Sequence, residues 1–278
     1  MTSTEEIETG NFAARRWLLC PPDSIRVVNW NIDRGSHLKR VVEFLASAKP
    51  DIILLQEADR NARRTHHLNI AREIAQKLAM NYAFGPEFQE LTQGTRTSPA
   101  YHGQATLSRW PLCDFRIIRF QKQSNFWRPH WFLPEIPPFQ ERIGGRLALV
   151  SKVSVGGTTV VTYNLHLESR GDNELRSSQL AEVLGDARRY SSDTAVVLAG
   201  DLNLDVSSGP VSGAIRAADF GDVFLERRVP TTPDTLLGHG RTIDWIFARG
   251  PLRTLYAQVV RTVSASDHYP LCADLAFK

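Results

Sequence analysis

Residues 25–33 read IRVVNWNID, and residues 51–57 read DIILLQE. Each is an apolar, largely β-branched run that ends in amides and carboxylates. Ile25 to Ile32 therefore reads as a buried strand and Asp51 to Gln56 as a second, shorter one. Ser36 is placed to cap a helix between them. Its apolar positions Leu38, Val41, Val42 and Leu45 recur at helical spacing, and Pro50 ends it. A second helix from about His67 to Met80 repeats the spacing at Leu68, Ala71, Ile74, Ala75 and Leu78. Further strands are expected at Gly103–Ser108, Arg146–Val155, Thr158–Leu167, Thr194–Ala199, Thr242–Ala248, Leu252–Thr262 and Leu271–Ala276. Gly156-Gly157 is a hairpin signal, and Leu180, Val183, Leu184 and Ala187 mark another helix. Strands that alternate with helices early and follow one another later predict an α/β fold with mixed sheets covered by helices.

The remaining composition narrows the class. With 278 residues, 42% hydrophobic and 23% charged, the chain can bury one large core and is neither disordered nor fibrous. No apolar run approaches the ~18 residues of a membrane span. A net charge of +3 is too small to indicate a nucleic-acid partner by itself. Cys20, Cys113 and Cys272 lack the number and spacing of a disulfide framework or a cysteine zinc site, which fits the cytoplasm, as does the acidic, polar N-terminus. Residues 1–23 are expected to be a flexible tail and 24–278 a single domain, with no linker to divide it.

Polar residues recur where apolar strands end: Asn31 and Asp33, Gln56 and Glu57, Asn164 and His166, Asp201 and Asn203, Asp244, and Asp267-His268. Any one of these is ordinarily a turn residue, a cap or a satisfied core group. As a set they point to a site outside the strand ends of an α/β sheet. There is no GxxxxGK loop, no GxSxG elbow and no HExxH pair. Oxygen donors such as Glu57, Asp33 and Asp267 suit a hard cation, magnesium or manganese. A hard cation with acid–base groups is equipment for hydrolysing a phosphate ester.

The segments WNID (30–33), LQE (55–57), NLHL (164–167), GDLN (200–203), IDW (243–245) and SDH (266–268) resemble, in order and spacing, those of the endonuclease/exonuclease/phosphatase superfamily. The resemblance covers about residues 25 to 278. It implies a four-layer α/β sandwich, two mixed sheets flanked by helices, and a Mg²⁺-dependent phosphoesterase, with Mn²⁺ as an alternative. Glu57 would be the principal metal ligand, with Asn31 beside it and Asp33 and Asp267 near the metal. Asp201 would orient or deprotonate the attacking water. Asn203, His166 and His268 would contact the phosphate, and Asp244 would fix the His268 ring. Whether Asp201 or a histidine is the base stays open. Asn31 and Arg109 are carried as candidate substrate contacts. The family has a serine-arginine pair at Ser108-Arg109, where the arginine is more often structural. NLHL replaces the Asn-Tyr-x-x-Pro segment of AP endonucleases, and Arg34 stands where DNA-repair members carry glycine, so no branch is assigned.

Residues 114–146 concentrate aromatic and basic side chains, among them Phe120, Phe126, Trp127, Trp131, Phe132, Phe139, Arg116, Arg119, Arg128, Arg142 and Arg146. The prolines make most of this segment a loop. Three roles compete: anchoring a loop on the core, stacking and pairing with a nucleic acid, or touching a lipid surface. A second basic group, Arg60, Arg63, Arg64, His66 and His67, is either a solvated helix start or a phosphate-binding rim. A phosphodiester of nucleic acid is favoured narrowly as substrate over a phospholipid or inositol phosphate, and no obligate protein partner is inferred. The rival class is an inactive binding protein on the same fold.

Overall fold

The structure is a computed structural model that describes residues 6–14, 22–124, 132, 134, 136, 139–207, 209–225, 228–235 and 238–278. Cys20, Phe126, Trp127, Arg128 and Trp131 lie outside the described residues.

The elements run β1 (Glu8–Asn11), β2 (Ser24–Arg34), α1 (Leu38–Ala48), β3 (Ile52–Arg60), α2 (Ile70–Leu78), β4 (Asn81–Glu90), β5 (Ala100–Ser108), β6 (Leu112–Arg119), β7 (Arg142–Gly144), β8 (Leu147–Val155), β9 (Thr158–His166), α3 (Asn173–Ala187), β10 (Ala195–Asp201), α4 (Gly209–Ala217), β11 (Gly221–Asp222), β12 (Asp244–Arg249), β13 (Leu252–Val259) and β14 (Leu271–Phe277). One sheet has the order β1-β4-β5-β3-β2-β14-β13, with β7 also on β4. The other has the order β11-β12-β10-β9-β8-β6. The pairs β2·β3 and β9·β10 are parallel and the remaining pairs antiparallel.

Side-chain alternation along the strands builds the layers. Val27, Ile52 and Leu54 from the first sheet meet Val160, Val197 and Ile246 from the second in an inner core. Their neighbours Val28, Trp30, Ile53 and Leu55 turn outward to Val41 and Leu45 of α1 and Ile70 and Ile74 of α2. On the far side, Val161, Tyr163, Val196 and Leu198 pack on Leu180, Val183 and Leu184 of α3 and Ile215 of α4. The result is the expected sandwich of helices, sheet, sheet and helices. Gln56 and Asn164 tie the two sheets together. The Gln56 amide donates to Asn29 Oδ1 at 2.8 Å and Asn164 Oδ1 at 2.7 Å, while Asn164 Nδ2 donates to the carbonyls of Leu55 and Ala105 at 3.0 Å each. Among the described residues no helix is long and apolar enough to cross a membrane.

Several expectations are corrected. Residues 8–11, assigned to a flexible tail, form β1 on the edge of the first sheet. Glu8 accepts hydrogen bonds from Asn69 Nδ2, the Tyr82 hydroxyl and Arg60 Nη1. Ser36 is not the cap of α1: its hydroxyl donates to the Asp33 carbonyl at 2.8 Å, and His37 is the N-cap without a side-chain bond. Residues 114–119, at the start of the segment expected to be mostly loop, belong to β6 on the edge of the second sheet. β4 escaped notice because Gly85-Pro86 reads as a break, yet Pro86 sits at a bulge where the ladder skips.

Gly200, the first residue of GDLN, answers to backbone proximity. A Cβ there would overlap the Leu165 carbonyl of neighbouring β9, and its φ is +159°. Gly200→Ala is therefore expected to destabilise the fold by about 3 kcal/mol. The check is the urea midpoint, which an unstrained position would leave unchanged.

Candidate active site

The two parallel pairs set the site. β2, β3, β9 and β10 all point their C-terminal ends to one edge of the sandwich, delivering Asn31 and Asp33, Glu57, His166, and Asp201. β12 runs antiparallel to β10 in a register that places Asp244 opposite Asp201, while Asp201 lies opposite His166. His268 arrives from the loop before β14. Ser266 Oγ donates to the Asn31 carbonyl at 2.7 Å, and Trp30 Nε1 donates to the His268 carbonyl at 2.9 Å, so that loop is pinned to β2.

Irregular backbone aims the side chains. The β2·β3 ladder shifts between Asn31 and Arg34, and the β3·β5 ladder between Leu55 and Ala58. Within these bulges Asp33 has φ +41° and Glu57 has φ +58°, while Asn203 after β10 has φ +49°. Non-glycine residues in this region are strained, and bulges commonly re-aim side chains beside sites.

Asn31 bridges the sheets: its Nδ2 donates to Glu57 Oε1 at 3.2 Å and to Asp201 Oδ2 at 3.1 Å. Asp201 Oδ1 accepts the Asn203 backbone N–H at 2.9 Å. Asn203 Nδ2 donates to the Leu167 carbonyl at 3.3 Å. His268 Nδ1 is 2.8 Å from Asp244 Oδ2, and its Nε2 is 3.7 Å from Asp201 Oδ2. His166 faces the same oxygen from the other side, its Nε2 3.6 Å from Asp201 Oδ2 and 3.9 Å from Glu57 Oε1. Asp201, Asp244 and His268 offer ligand atoms within 4.8 Å of one another.

The charges are sharply differentiated. Burial pushes Asp201 up to about 7, reinforced by Asp244 and opposed by His268, the Asn203 N–H and Asn31. Burial opposes the charge on His268, but Asp244 and Asp201 overcome it and hold the imidazole well above the ordinary histidine value. His166 is pushed the other way, well below that value, by burial and by Arg146, His102 and His268. Burial would raise Glu57, yet His102, Arg146 and the Asn31 amide together hold it below the usual carboxylate range. Asp33 is raised by burial and by the neighbouring carboxylates of Asp267 and Glu57.

The structure thus brings Asn31, Glu57, His166, Asp201, Asn203, Asp244 and His268 into one cluster, with Asp33 and Asp267 at its rim. Arg109 is not part of it. β5 runs antiparallel to β3, so the end of β5 lies beside the start of β3, opposite Ile52 and at the far end from Glu57. There Arg109 Nε donates to the Pro50 carbonyl at 2.8 Å, a structural tie.

The expected basic surfaces are largely engaged in the fold. Arg116 pairs with Asp186 at 2.8 Å, Arg142 with Glu90 at 3.1 Å, and Arg119 donates to the Gly145 carbonyl at 2.8 Å. Arg64 makes two bonds to Asp59, at 2.7 and 2.8 Å, and Arg60 pairs with Glu8 at 2.9 Å.

Sequence reasoning missed buried partners of the cluster. His102 Nδ1 is 3.0 Å from Asp59 Oδ1, and its Nε2 faces Glu57 Oε2 at 3.9 Å. Arg146 Nη1 donates to His166 Nδ1 at 2.9 Å and to Glu87 Oε2 at 3.0 Å. A signal for Arg146 existed: counting back from the Gly156-Gly157 turn pairs Leu147 with His166.

A divalent cation fits this donor set. Glu57 is held ionised with about a quarter of its side chain accessible (23%). Asp33 and Asp267 add carboxylates whose mutual repulsion a hard cation would relieve. Two mixed sheets with carboxylates and histidines at one edge fit the class of metal-dependent phosphoesterases. The model of the Endonuclease/Exonuclease/phosphatase family matches residues 28–268, and the chain belongs to that family.

Solved structures share the fold. An endonuclease/exonuclease/phosphatase from Beutenbergia cavernae is 21% identical, with a TM-score of 0.68 over 92% of this chain and 72% of that one. A D. rerio TDP2 humanized by 14 mutations is 18% identical, with a TM-score of 0.62 over 91% of this chain and 99% of its own. The human Nocturnin catalytic domain, with a bound sulfate anion, is 17% identical, with a TM-score of 0.66 over 98% and 97%. No curated protein sequence matches the chain.

Proposed function

We propose that this chain hydrolyses phosphodiesters by in-line attack of water, with Mg²⁺ as its metal and nucleic acid as its favoured substrate. The observation that carries this reading is Asp201 Oδ2, held between His166 Nε2 and His268 Nε2 at 3.6 and 3.7 Å and linked through Asn31 to Glu57.

Glu57 would hold the metal, with Asn31, Asp33 and Asp267 within its surroundings. When bound there, the metal would supply polarisation of the phosphoryl group and stabilisation of the leaving oxyanion. Asp201, with its carboxyl value near neutrality, takes the proton of the attacking water. His268, kept protonated by Asp244, donates to a non-bridging phosphoryl oxygen, as do Asn203 and the Nε2–H of His166. The pair Asp244–His268 is thereby a donor and Asp201 the base.

The excess of carboxylates favours a diester. Glu57, Asp33, Asp267, Asp201 and Asp244 repel the second charge of a monoester dianion more than the single charge of a diester. With Mg²⁺, kcat/KM for bis(p-nitrophenyl) phosphate should exceed that for p-nitrophenyl phosphate by about tenfold or more. A preference for the monoester would refute the diester reading.

For nucleic acid, the support is the family's nuclease membership and the exposed Arg241, whose Nη2 lies 3.4 Å from the Asn203 carbonyl at the mouth of the cluster. A phospholipid diester is the second reading, favoured by exposed Phe132, Ile136 and Phe139 in the basic segment. Mg²⁺-dependent turnover of phospholipid vesicles without nucleic-acid cleavage would select it. A cytoplasmic location is proposed with this reading, and the cysteine usage fits it.

A further inference from the structure

His166 and His268 flank the same carboxylate oxygen, but their backs are held by groups of opposite character. His268 Nδ1 faces Asp244 Oδ2 at 2.8 Å, and a carboxylate accepts, so that nitrogen carries a proton. His166 Nδ1 lies 2.9 Å from Arg146 Nη1. A guanidinium has donors only, so His166 Nδ1 must accept, and its proton is on Nε2.

We propose that Arg146 is a positioning residue that locks His166 with its proton on Nε2, making His166 a fixed hydrogen-bond donor to the phosphoryl oxygens and neither acid nor base. The catalytic half of this statement rests on the proposed phosphodiesterase reading; the tautomer does not.

The surroundings leave His166 no alternative. Arg146 and His166 are both buried, with relative exposures of 3% and 1%. Arg146 is itself fixed: Nη1 donates to Glu87 Oε2 at 3.0 Å and Nη2 to Ser169 Oγ at 2.9 Å. Glu87 Oε2 is 3.6 Å from His166 Nδ1, beyond hydrogen-bond range, so the 2.9 Å contact from Arg146 sets the direction at that nitrogen. Accepting a proton there would bring a second cation against the guanidinium in a buried site. With Nδ1 occupied and Nε2 protonated, His166 has no free lone pair with which to take a proton from water. The base must be another group, and Asp201 is the carboxylate between the two rings.

Long-range ¹H–¹⁵N spectra of the metal-free and Mg²⁺-loaded wild-type protein test the tautomer directly, with His166 identified by its loss in His166→Gln. The expected result is an unprotonated, pyridine-type Nδ1 and a protonated, pyrrole-type Nε2, constant across the neutral range. A protonated Nδ1, or a doubly protonated ring, would overturn the proposal whatever the enzyme turns out to cleave.

In Arg146→Met/Glu87→Gln, which removes both charges of the Arg146–Glu87 pair and leaves Glu168 its bonds from the Ser124 and Arg170 N–H groups, the His166 nitrogens should average between tautomers, and Arg146→Lys should restore the wild-type pattern. An unaltered tautomer in the double variant would show that Arg146 is not the cause. In the same double variant kcat should fall about 10²-fold with KM little changed. Full turnover with a shifted tautomer would overturn the catalytic half and leave the tautomer assignment standing. If the double variant does not fold, the wild-type spectra still decide the tautomer.

Discussion

Asp201→Asn is expected to lower kcat by about 10³-fold or more and to make the folded protein more stable. The loss follows from removing the carboxylate that takes the proton of water while its neighbours remain in place. The gain follows from linkage. Burial raises the folded value of Asp201 to about 7 from an ordinary 3.8. A group raised in this way contributes its full stability below the unfolded value, and that contribution is lost as pH rises through the folded one. Near neutrality and above, the ionised carboxylate therefore opposes folding, and the neutral amide removes that opposition. The expected gain is about 2 kcal/mol at about pH 8 and smaller at about pH 4, measured by urea unfolding. An inactive variant that is less stable at both values would mean that Asp201 holds the fold together. Full turnover would remove Asp201 from the chemistry.

Glu57→Gln is expected to weaken divalent-metal binding by at least about 100-fold. Glu57 is the carboxylate that the strained end of β3 turns into the cleft, and His102, Arg146 and Asn31 oppose burial to keep it charged. Glutamine keeps the shape and the Asn31 neighbour but forfeits the anionic oxygen. Titration of wild-type and variant protein with Mn²⁺, followed by electron paramagnetic resonance, reads the affinity without turnover. Activity should return in part at high metal concentration. Equal affinity would move the cation to the opposite side of the same cluster, where ligand atoms of Asp201, Asp244 and His268 lie within 4.8 Å of one another.

The fold was legible where pattern and burial agree. Ile25–Ile32 and Asp51–Gln56 announce themselves because β2 and β3 are central strands with apolar neighbours on both faces. β1 and β6 did not, because they are edge strands whose polar faces look like loop. The nature of the Glu8 contacts could not be read at all, since its partners Asn69 and Tyr82 are more than sixty residues away.

The candidate site was legible as a set because each strand end carries its own polar signature, and parallel pairing converges those ends. Its supporting groups were hidden by their ordinariness. Asp59, Glu87 and His102 sit inside strands, where a single polar residue gives no sign of its partner. Arg146 reads from the sequence as one more cation of a basic segment at the start of a strand, yet it is buried against His166. Arg109 shows the converse: a residue carried over from a family pattern stands at the wrong end of β3, because antiparallel pairing reverses direction.

The most direct measurement is cleavage of labelled single-stranded DNA, duplex DNA and RNA, with and without Mg²⁺, by the wild-type protein and Asp201→Asn side by side. The expected result is metal-dependent cleavage of at least one polymer, reduced about 10³-fold in a variant that is folded and no less stable. Cleavage that persists without metal, or persists in Asp201→Asn, would contradict the proposed mechanism. Failure to cleave any of the three while bis(p-nitrophenyl) phosphate is hydrolysed would contradict the choice of nucleic acid.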